Sequence, residues 1–366
     1  MNRRLVSALV LSSAVGAGAL ATSACSDAED VIFYPTYGVQ RAGEWRIDVR
    51  AKVQERRDVG AIATAAARLA PAGAGREQGT LNARLADFIA DDESDEDVIL
   101  AFDGDSTQTR YRITDEDGTF LSTNVDGVVE GTLTLPDAVA QRLLAEQRSK
   151  DGWLTYRAAS ADHTGIGRVR LIGPTGVSVI SDIDDTIKVT QIPAGARVVA
   201  QNTFYRDFSS TTELAAVYQE LAGAPVHYVS GGPWQMYRPL ATFLSDGHHP
   251  EGSFHMKPLT GGFRSPVTSM EKLARFAMPA GTFAHKTAEI TRIMERFPGR
   301  TFVLIGDSGE QDPEIYRALQ CRFGARIDRI VIRDLTNARQ LCPDRLAGMT
   351  IVESPTVADC VPSVTR

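Results

Sequence analysis

Val177-Ser178-Val179-Ile180 runs without a break into Ser181-Asp182-Ile183-Asp184-Asp185-Thr186, an apolar stretch ending in a polar cluster. An unbroken apolar run, rather than an alternating one, marks a strand covered on both faces, the pattern of a parallel sheet. The pattern recurs where 226–229 runs into Ser230-Gly231-Gly232, and where 301–305 runs into Gly306-Asp307-Ser308-Gly309-Glu310-Gln311-Asp312; a fourth strand is expected over 329–332. Between the first two strands, Ser210-x-x-Glu213 reads as a capping box, and Leu214, Val217, Tyr218 and Leu221 form a helical stripe that Gly223 and Pro225 end. Ile290, Ile293, Met294 and Phe297 make a second stripe before Pro298-Gly299. Strand, helix and strand in that order predict an α/β unit beginning after Gly173-Pro174-Thr175-Gly176.

Open α/β sheets bind ligands beyond the carboxyl ends of their strands, and three of these strands end in polar residues. Two clusters of carboxylates at one sheet edge repel each other unless a cation joins them. Oxygen-only ligands select a hard one such as Mg²⁺. Asp-x-Asp-x-Thr after one strand, Ser after a second, a Lys, and Gly-Asp followed by another Asp resemble the four motifs of the haloacid-dehalogenase-like phosphatases. The strings Ser181-Asp182-Ile183-Asp184-Asp185-Thr186-Ile187-Lys188, Tyr228-Val229-Ser230 with Pro233-Trp234-Gln235, His285-Lys286, and Gly306-Asp307 through Ile315-Tyr316 resemble the catalytic domain of the actin-patch-protein type of phosphatidate phosphatase. The likeness covers about 177–335 and departs from that pattern at Gly231-Gly232, where the eukaryotic members carry a bulkier polar pair. It implies a Rossmann-like parallel sheet of the haloacid-dehalogenase type.

Phosphoryl transfer needs an in-line nucleophile, neutralisation of the equatorial oxygens and a proton for the leaving group. The resemblance and this chemistry assign the same roles. Asp182 is the expected nucleophile and Asp184 the acid and base two residues on. Thr186, Ser230 and Lys286, the last opening a helix, are the expected phosphate-binding residues. Mg²⁺ is expected on Asp182, Asp307 and the backbone carbonyl of Asp184, with Asp312 as a further ligand or a group behind the ligands.

Each residue also has a plainer reading. Asp and Thr cap helices after strands, and Asp312-Pro313 is a good N-cap with Pro at the first helical position. Four such motifs in order favour the catalytic reading. His285 is read as orienting its neighbours. His248, His249 and His255 lack a fourth ligand for zinc. Trp234 is either core packing or, the reading we favour slightly, an aromatic wall of the pocket.

Upstream the periodicity changes. Over 31–172 the apolar residues come in short alternating runs, as in Trp45-Arg46-Ile47-Asp48-Val49, Val98 to Phe102, Tyr111-Arg112-Ile113 and Gly131 to Leu135, with turns at Asp115 to Gly118 and Asp126-Gly127. This predicts a β-rich, sandwich-like domain over 26–172 with one helical insertion over roughly 60–91. The six acidic residues among the seven from Asp91 to Asp97 read as a solvated loop rather than a metal loop. Arg3-Arg4 before the charge-free stretch 5–24 reads as a signal peptide over 1–24, hence an exported, periplasmic, cell-envelope or secreted protein. Cys25 resembles the acylated cysteine of lipoproteins, although Thr22 stands where that pattern prefers Leu. In an oxidising compartment a Cys342–Cys360 bridge with Cys321 as a buried thiol is expected, although spacing alone does not fix the pairing. The catalytic unit is expected over 173–340 and a C-terminal tail over 341–366.

The 366 residues carry a formal charge of −7, which argues against a nucleic-acid binder that relies on a positive field. Only about 40 residues separate the first two motifs, so no large cap is expected there. Over 231–300 the nine Lys and Arg outnumber five Asp and Glu, and with Trp234, Tyr237 and Phe263 they suggest a basic, aromatic mouth around Arg238 and Arg264 for a lipid phosphate at a membrane surface; an ordinary solvated helix face explains the same counts. The expected function is a Mg²⁺-dependent phosphomonoester hydrolase, phosphatidate phosphatase-like. A phosphatase for soluble monoesters such as nucleotides or sugar phosphates is the second reading, and a surface binding module on a phosphatase scaffold the third. Oligomeric state stays open.

Overall fold

In strand Glu44–Glu55, Trp45, Ile47, Val49, Ala51 and Val53 are buried on one face while Arg46, Asp48 and Arg50 lie half-buried on the other, the alternation that period 2 demands. A computed structural model of the chain describes residues 29–55, 68, 77–259, 270–277 and 280–361. The export segment 1–24, Cys25, Phe263 and Arg264 lie outside the described residues. The long strand pairs along one edge with Thr36–Arg41 and then Glu29–Phe33, and along the other with Val128–Pro136 and then Asp91–Asp92. Strands Ile166–Ile172, Trp153–Ala158, Ile99–Phe102 and Tyr111–Arg112 continue the same ladder. The result is one mixed ten-stranded sheet rather than the two sheets of a sandwich, because Thr36–Arg41 bridges the halves by pairing in parallel with Ile166–Ile172. Two acidic residues expected in a loop, Asp91 and Asp92, form an edge strand in which Asp92 pairs with Lys52 at 2.7 Å. Helix Asp137–Glu146, unread in the sequence, closes the core with Ala140 and Leu143.

The second sheet is six parallel strands in the order Gly252–Lys257, Val226–Pro233, Gly176–Ser181, Arg300–Asp307, Ile327–Asp334 and Thr350–Glu353. The two outer strands were not anticipated. Gly252–Lys257 contains two polar residues, Ser253 and His255, that break the apolar run, and Thr350–Glu353 carries the sheet into the segment expected as a tail. The anticipated capping box is absent: helix Ala215–Glu220 starts later, after Leu214, and Ser210 bonds His249 instead.

The units share cores. Leu81, Leu85 and Phe88 form one face of helix Glu77–Ile89, which arises within the first unit, yet they are buried with Val179, Ile183, Val199 and Phe204 of the second. Tyr37 and Val39 enter the other core with Ile293 and with Phe297, whose ring also meets His227.

His227 is buried there, its Nδ1 2.8 Å from Ser253 Oγ, which lies 3.0 Å from His255 Nε2; His255 Nδ1 is 3.1 Å from Glu289. Burial holds both imidazoles below the usual range, although Glu289 opposes this at His255. A histidine depressed in the folded state lets the unfolded chain take the proton first, so stability present above about pH 6.5 is lost as pH falls, at up to about 1.4 kcal/mol per pH unit for each such group. Denaturant unfolding from pH 7 to 5.5 should therefore show a shallower decline in His227→Phe than in the parent chain; parallel curves would refute the assignment.

Candidate active site

Asp182 follows strand Gly176–Ser181 and donates its backbone N–H to Ile305 on the neighbouring strand at 2.9 Å. The chain then turns back on itself at Asp185, which adopts φ +59°, a left-handed conformation that a short polar side chain tolerates. The Asp185 carboxylate fixes the turn by accepting the backbone N–H groups of Thr190, Gln191 and Ile192 at 2.8, 2.6 and 2.6 Å. Arg333 anchors it from the far strand, donating to the Asp185 carbonyl and to Glu213, each at 2.9 Å. This turn brings Lys188 and Thr190 onto Asp184, both 2.7 Å from its Oδ1, while Ser230 Oγ donates to its Oδ2 at 3.3 Å. Burial alone would raise the Asp184 pKa; the Lys188 ammonium and these hydrogen bonds outweigh it and hold the group below the usual range.

Lys286 is fully buried and reaches three carboxylates: Asp312 Oδ1 at 2.7 Å, Asp182 Oδ1 at 2.8 Å and Glu310 Oε2 at 3.3 Å. Burial would lower its pKa, but those carboxylates raise it well above the ordinary value. It sits in the second turn of helix Thr282–Arg296 rather than opening it, because Gly281 takes the left-handed cap position. One ammonium does not balance the group. Burial first, then the charges of Asp312 and Glu310, push Asp182 well above the carboxylate range, and Asp307 is raised likewise by burial, Asp312 and Asp182. Asp182 Oδ2, Asp307 Oδ2 and Thr186 Oγ1 are buried without a hydrogen-bond partner. Asp182, Asp307 and Glu310 each offer an oxygen within 4.8 Å of the others. Unmatched, inward-facing carboxylate oxygens fit a hard divalent cation.

The loop after strand Arg300–Asp307 is pinned from both sides. Asp307 Oδ1 accepts the N–H of Gly309 at 2.6 Å and of Glu310 at 3.2 Å. Ser308 Oγ bonds Asp334 and Thr336, each at 2.8 Å. Arg345 donates to the carbonyls of Ser308 and Glu310 and to both oxygens of Glu314. Cys342 is bridged to Cys360 just before that arginine, a bond of the kind that persists in oxidising compartments. Cys321 is exposed, not buried as expected, because it lies on the outer face of helix Asp312–Phe323.

The structure thus gathers Asp182, Asp184, Ser230, Lys286, Asp307 and Asp312, with Thr186 buried in the same turn. Asp312 is not the N-cap: Gln311 is, and the Asp312 carboxylate faces Lys286 and, at 3.3 Å, the Asp307 N–H. Sequence reasoning missed Glu310, Lys188, Thr190 and Arg333. Glu310 was legible as a third acid in the same loop; the others act through a turn whose shape the motif does not spell out. The three loop histidines do not converge: His249 bonds Ser210, His255 belongs to the buried network, and neither group of possible metal ligands found among the described residues includes them.

The expected lipid-facing mouth is also corrected. Trp234 packs against Tyr34 with centroids 4.4 Å apart and ring planes tilted by 55°, and lies under Arg50, while Tyr237 meets Tyr34 at 5.1 Å. Arg238 pairs with Asp30 and Asp87. All three hold the two units together. Their sequence signal, aromatic and basic residues after a strand, is the same for an interface between units as for a pocket rim.

The family described as the catalytic domain of phosphatidate phosphatase APP1 matches residues 177–334. An uncharacterized Schizosaccharomyces pombe protein is 31% identical over 176 residues, 46% of this chain and 27% of its own length. The Saccharomyces cerevisiae protein named phosphatidate phosphatase APP1 is 29% identical over 177 residues, 47% of this chain and 28% of its own. The alignments thus span less than a third of either relative. The matched segment 177–334 contains Asp182, Ser230, Lys286 and Asp307, and over that segment the chain is similar to the phosphatidate phosphatase APP1 catalytic-domain family.

Proposed function

We propose that the chain is a Mg²⁺-dependent phosphomonoester hydrolase of the haloacid-dehalogenase type that acts on phosphatidate or a related phospholipid. One observation carries the reading: a buried Asp182 with a free oxygen stands between a buried lysine and a second aspartate two residues on, inside the segment matched by a phosphatase family. Asp182 Oδ2 attacks phosphorus, the bond to the leaving oxygen breaks, and Asp184 delivers its proton; water then releases phosphate from the aspartyl phosphate as Asp184 takes a proton back. Lys188 and Thr190 keep Asp184 ionised at rest, ready for the second task. For the first, a bound phosphate dianion adds negative charge beside Asp184 and favours its protonated form. Lys286, Ser230 and Thr186 hold the phosphoryl oxygens.

Asp182, Asp307 and the Asp184 carbonyl would hold Mg²⁺, with Glu310 or Asp312 completing the set. When bound, the ion neutralises charge on the transferring phosphoryl group. The likeness to a protein named phosphatidate phosphatase supports the lipid substrate. A soluble phosphomonoester is the second reading, favoured because Trp234, Tyr237 and Arg238 are engaged between the units instead of facing a membrane. Four buried charged groups in catalytic order weigh against an inert scaffold.

Purified full-length protein should release phosphate from one or more of phosphatidate in mixed micelles, nucleotides and sugar phosphates, and chelation of divalent ions should abolish release. Turnover of a soluble monoester with none of phosphatidate would replace the lipid reading by the second. Silence on every substrate in Mg²⁺ would remove the hydrolase reading.

A further inference from the structure

Three arginines are buried among the described residues: Arg84, Arg300 and Arg333. Two are tied into the fold by hydrogen bonds of their guanidinium groups. Arg300 bonds Ser178 and the carbonyl of Gly173, and Arg333 bonds the Asp185 carbonyl and Glu213. Arg84 differs. It is 9% exposed, its guanidinium makes no ion pair or hydrogen bond among the described residues, and its Nη1 is buried without a partner. Its guanidinium carbon stands over the ring of Phe208, 3.2 Å from the centroid. Burial lowers its pKa to about 10, opposed by the Asp207 charge, so it stays protonated at neutral pH. A buried guanidinium nitrogen left without an acceptor is costly, and it is the arrangement expected where an anion binds.

The place of Arg84 says which anion. The same Phe208 ring carries Lys188 Nζ 4.7 Å from its centroid, and that ammonium is the partner of Asp184 at 2.7 Å. Asp184, Lys188, Phe208 and Arg84 therefore form a chain of contacts that runs from the reacting centre to Arg84. Since Asp184 serves the leaving oxygen, these contacts lie on the side of the leaving alcohol. Helix Glu77–Ile89, which carries Arg84, is itself fixed by the burial of Leu81, Leu85 and Phe88 in the catalytic core.

We propose that Arg84 is a substrate-recognition residue contributed by the first unit, which binds a phosphate-type oxyanion of the substrate next to Asp184. The oxyanion is either the scissile phosphoryl group or a second anionic group on the leaving alcohol. This rests on the phosphatase reading of the site. The guanidinium geometry suits two oxygens of one group, which an ammonium meets less well.

The test uses the full-length protein, Arg84→Gln and Arg84→Lys. Titration calorimetry with pyrophosphate should show affinity weakened about tenfold or more by Arg84→Gln, the scale of one charge-assisted hydrogen bond, and partly restored in Arg84→Lys. Kinetics on phenyl phosphate and on a sugar bisphosphate should show KM rising with kcat held within about twofold. A rise on both substrates assigns the scissile phosphate; a rise confined to the bisphosphate assigns the second anion. Unchanged pyrophosphate affinity in Arg84→Gln, or a fall in kcat and melting temperature at constant KM, overturns the proposal. If the parent chain hydrolyses nothing, the phosphatase reading fails while the pyrophosphate affinities still decide the role of Arg84.

Discussion

Asp182→Asn is expected to remove phosphate release, with kcat down by about a thousandfold or more, while the chain keeps its fold. The amide has the shape of the carboxylate but is no nucleophile, and it loses a negative charge at the point where a cation would sit. Lys286 keeps Asp312 at 2.7 Å and Glu310 at 3.3 Å, so its burial stays compensated. Removing one of several crowded carboxylates also relieves repulsion that now holds the Asp182 pKa well above its ordinary range, after burial as the larger cause. The melting temperature in divalent-free buffer should therefore stay level or rise, as it does when a charge held at a functional site is neutralised. Single-turnover phosphate release and calorimetric melting read the two halves separately. Turnover within tenfold of the parent would refute the nucleophile; lost activity with a sharply lower melting temperature would mean that Asp182 supports the fold rather than the chemistry.

What the sequence makes legible here is what depends on few residues at short range. The strand run 177–180 and its polar end are local, and so the sheet and Asp182, Asp184 and Asp307 could be read directly. Lys188 and Arg333 depend instead on the turn at Asp185, where three backbone N–H groups converge on one carboxylate over seven residues. No periodicity reports such a turn. The β-rich unit was legible as alternating strands, but its closure into one sheet rests on a parallel pairing between strands more than a hundred residues apart in sequence. Trp234 and Arg238 illustrate a different limit. They were read as parts of a lipid-facing mouth, yet the surface they meet, Tyr34, Asp30 and Asp87, belongs to the same chain.

A second large effect follows from that shared packing. A fragment of residues 173–366, cut where the periodicity changes, is expected to be insoluble or to lack a cooperative melt. In the whole chain Leu81 is 1%, Leu85 0% and Phe88 4% exposed, and all three belong to the core that contains Val179, on the strand leading to Asp182, and Ile183, the residue after it. Phe88 meets Phe204 with ring centroids 5.9 Å apart, and Asp87 on the same helix accepts Gln54 at 2.9 Å and Arg238 at 3.2 Å. Cutting the helix away would expose a contiguous apolar surface beside the catalytic turn, and each fully buried Leu or Phe contributes roughly 1.5–3 kcal/mol against a total stability of only about 5–15 kcal/mol. The same argument scales down to one side chain. Leu85→Ala in the full chain should cost about 2–5 kcal/mol by urea unfolding, since helix and sheet close only partly over the cavity. A fragment that melts as sharply as the parent, or a cost below about 1 kcal/mol for Leu85→Ala, would show that the helix merely rests on the catalytic unit; the expected values would make it a structural part of that unit, which is also what holds Arg84 over Phe208.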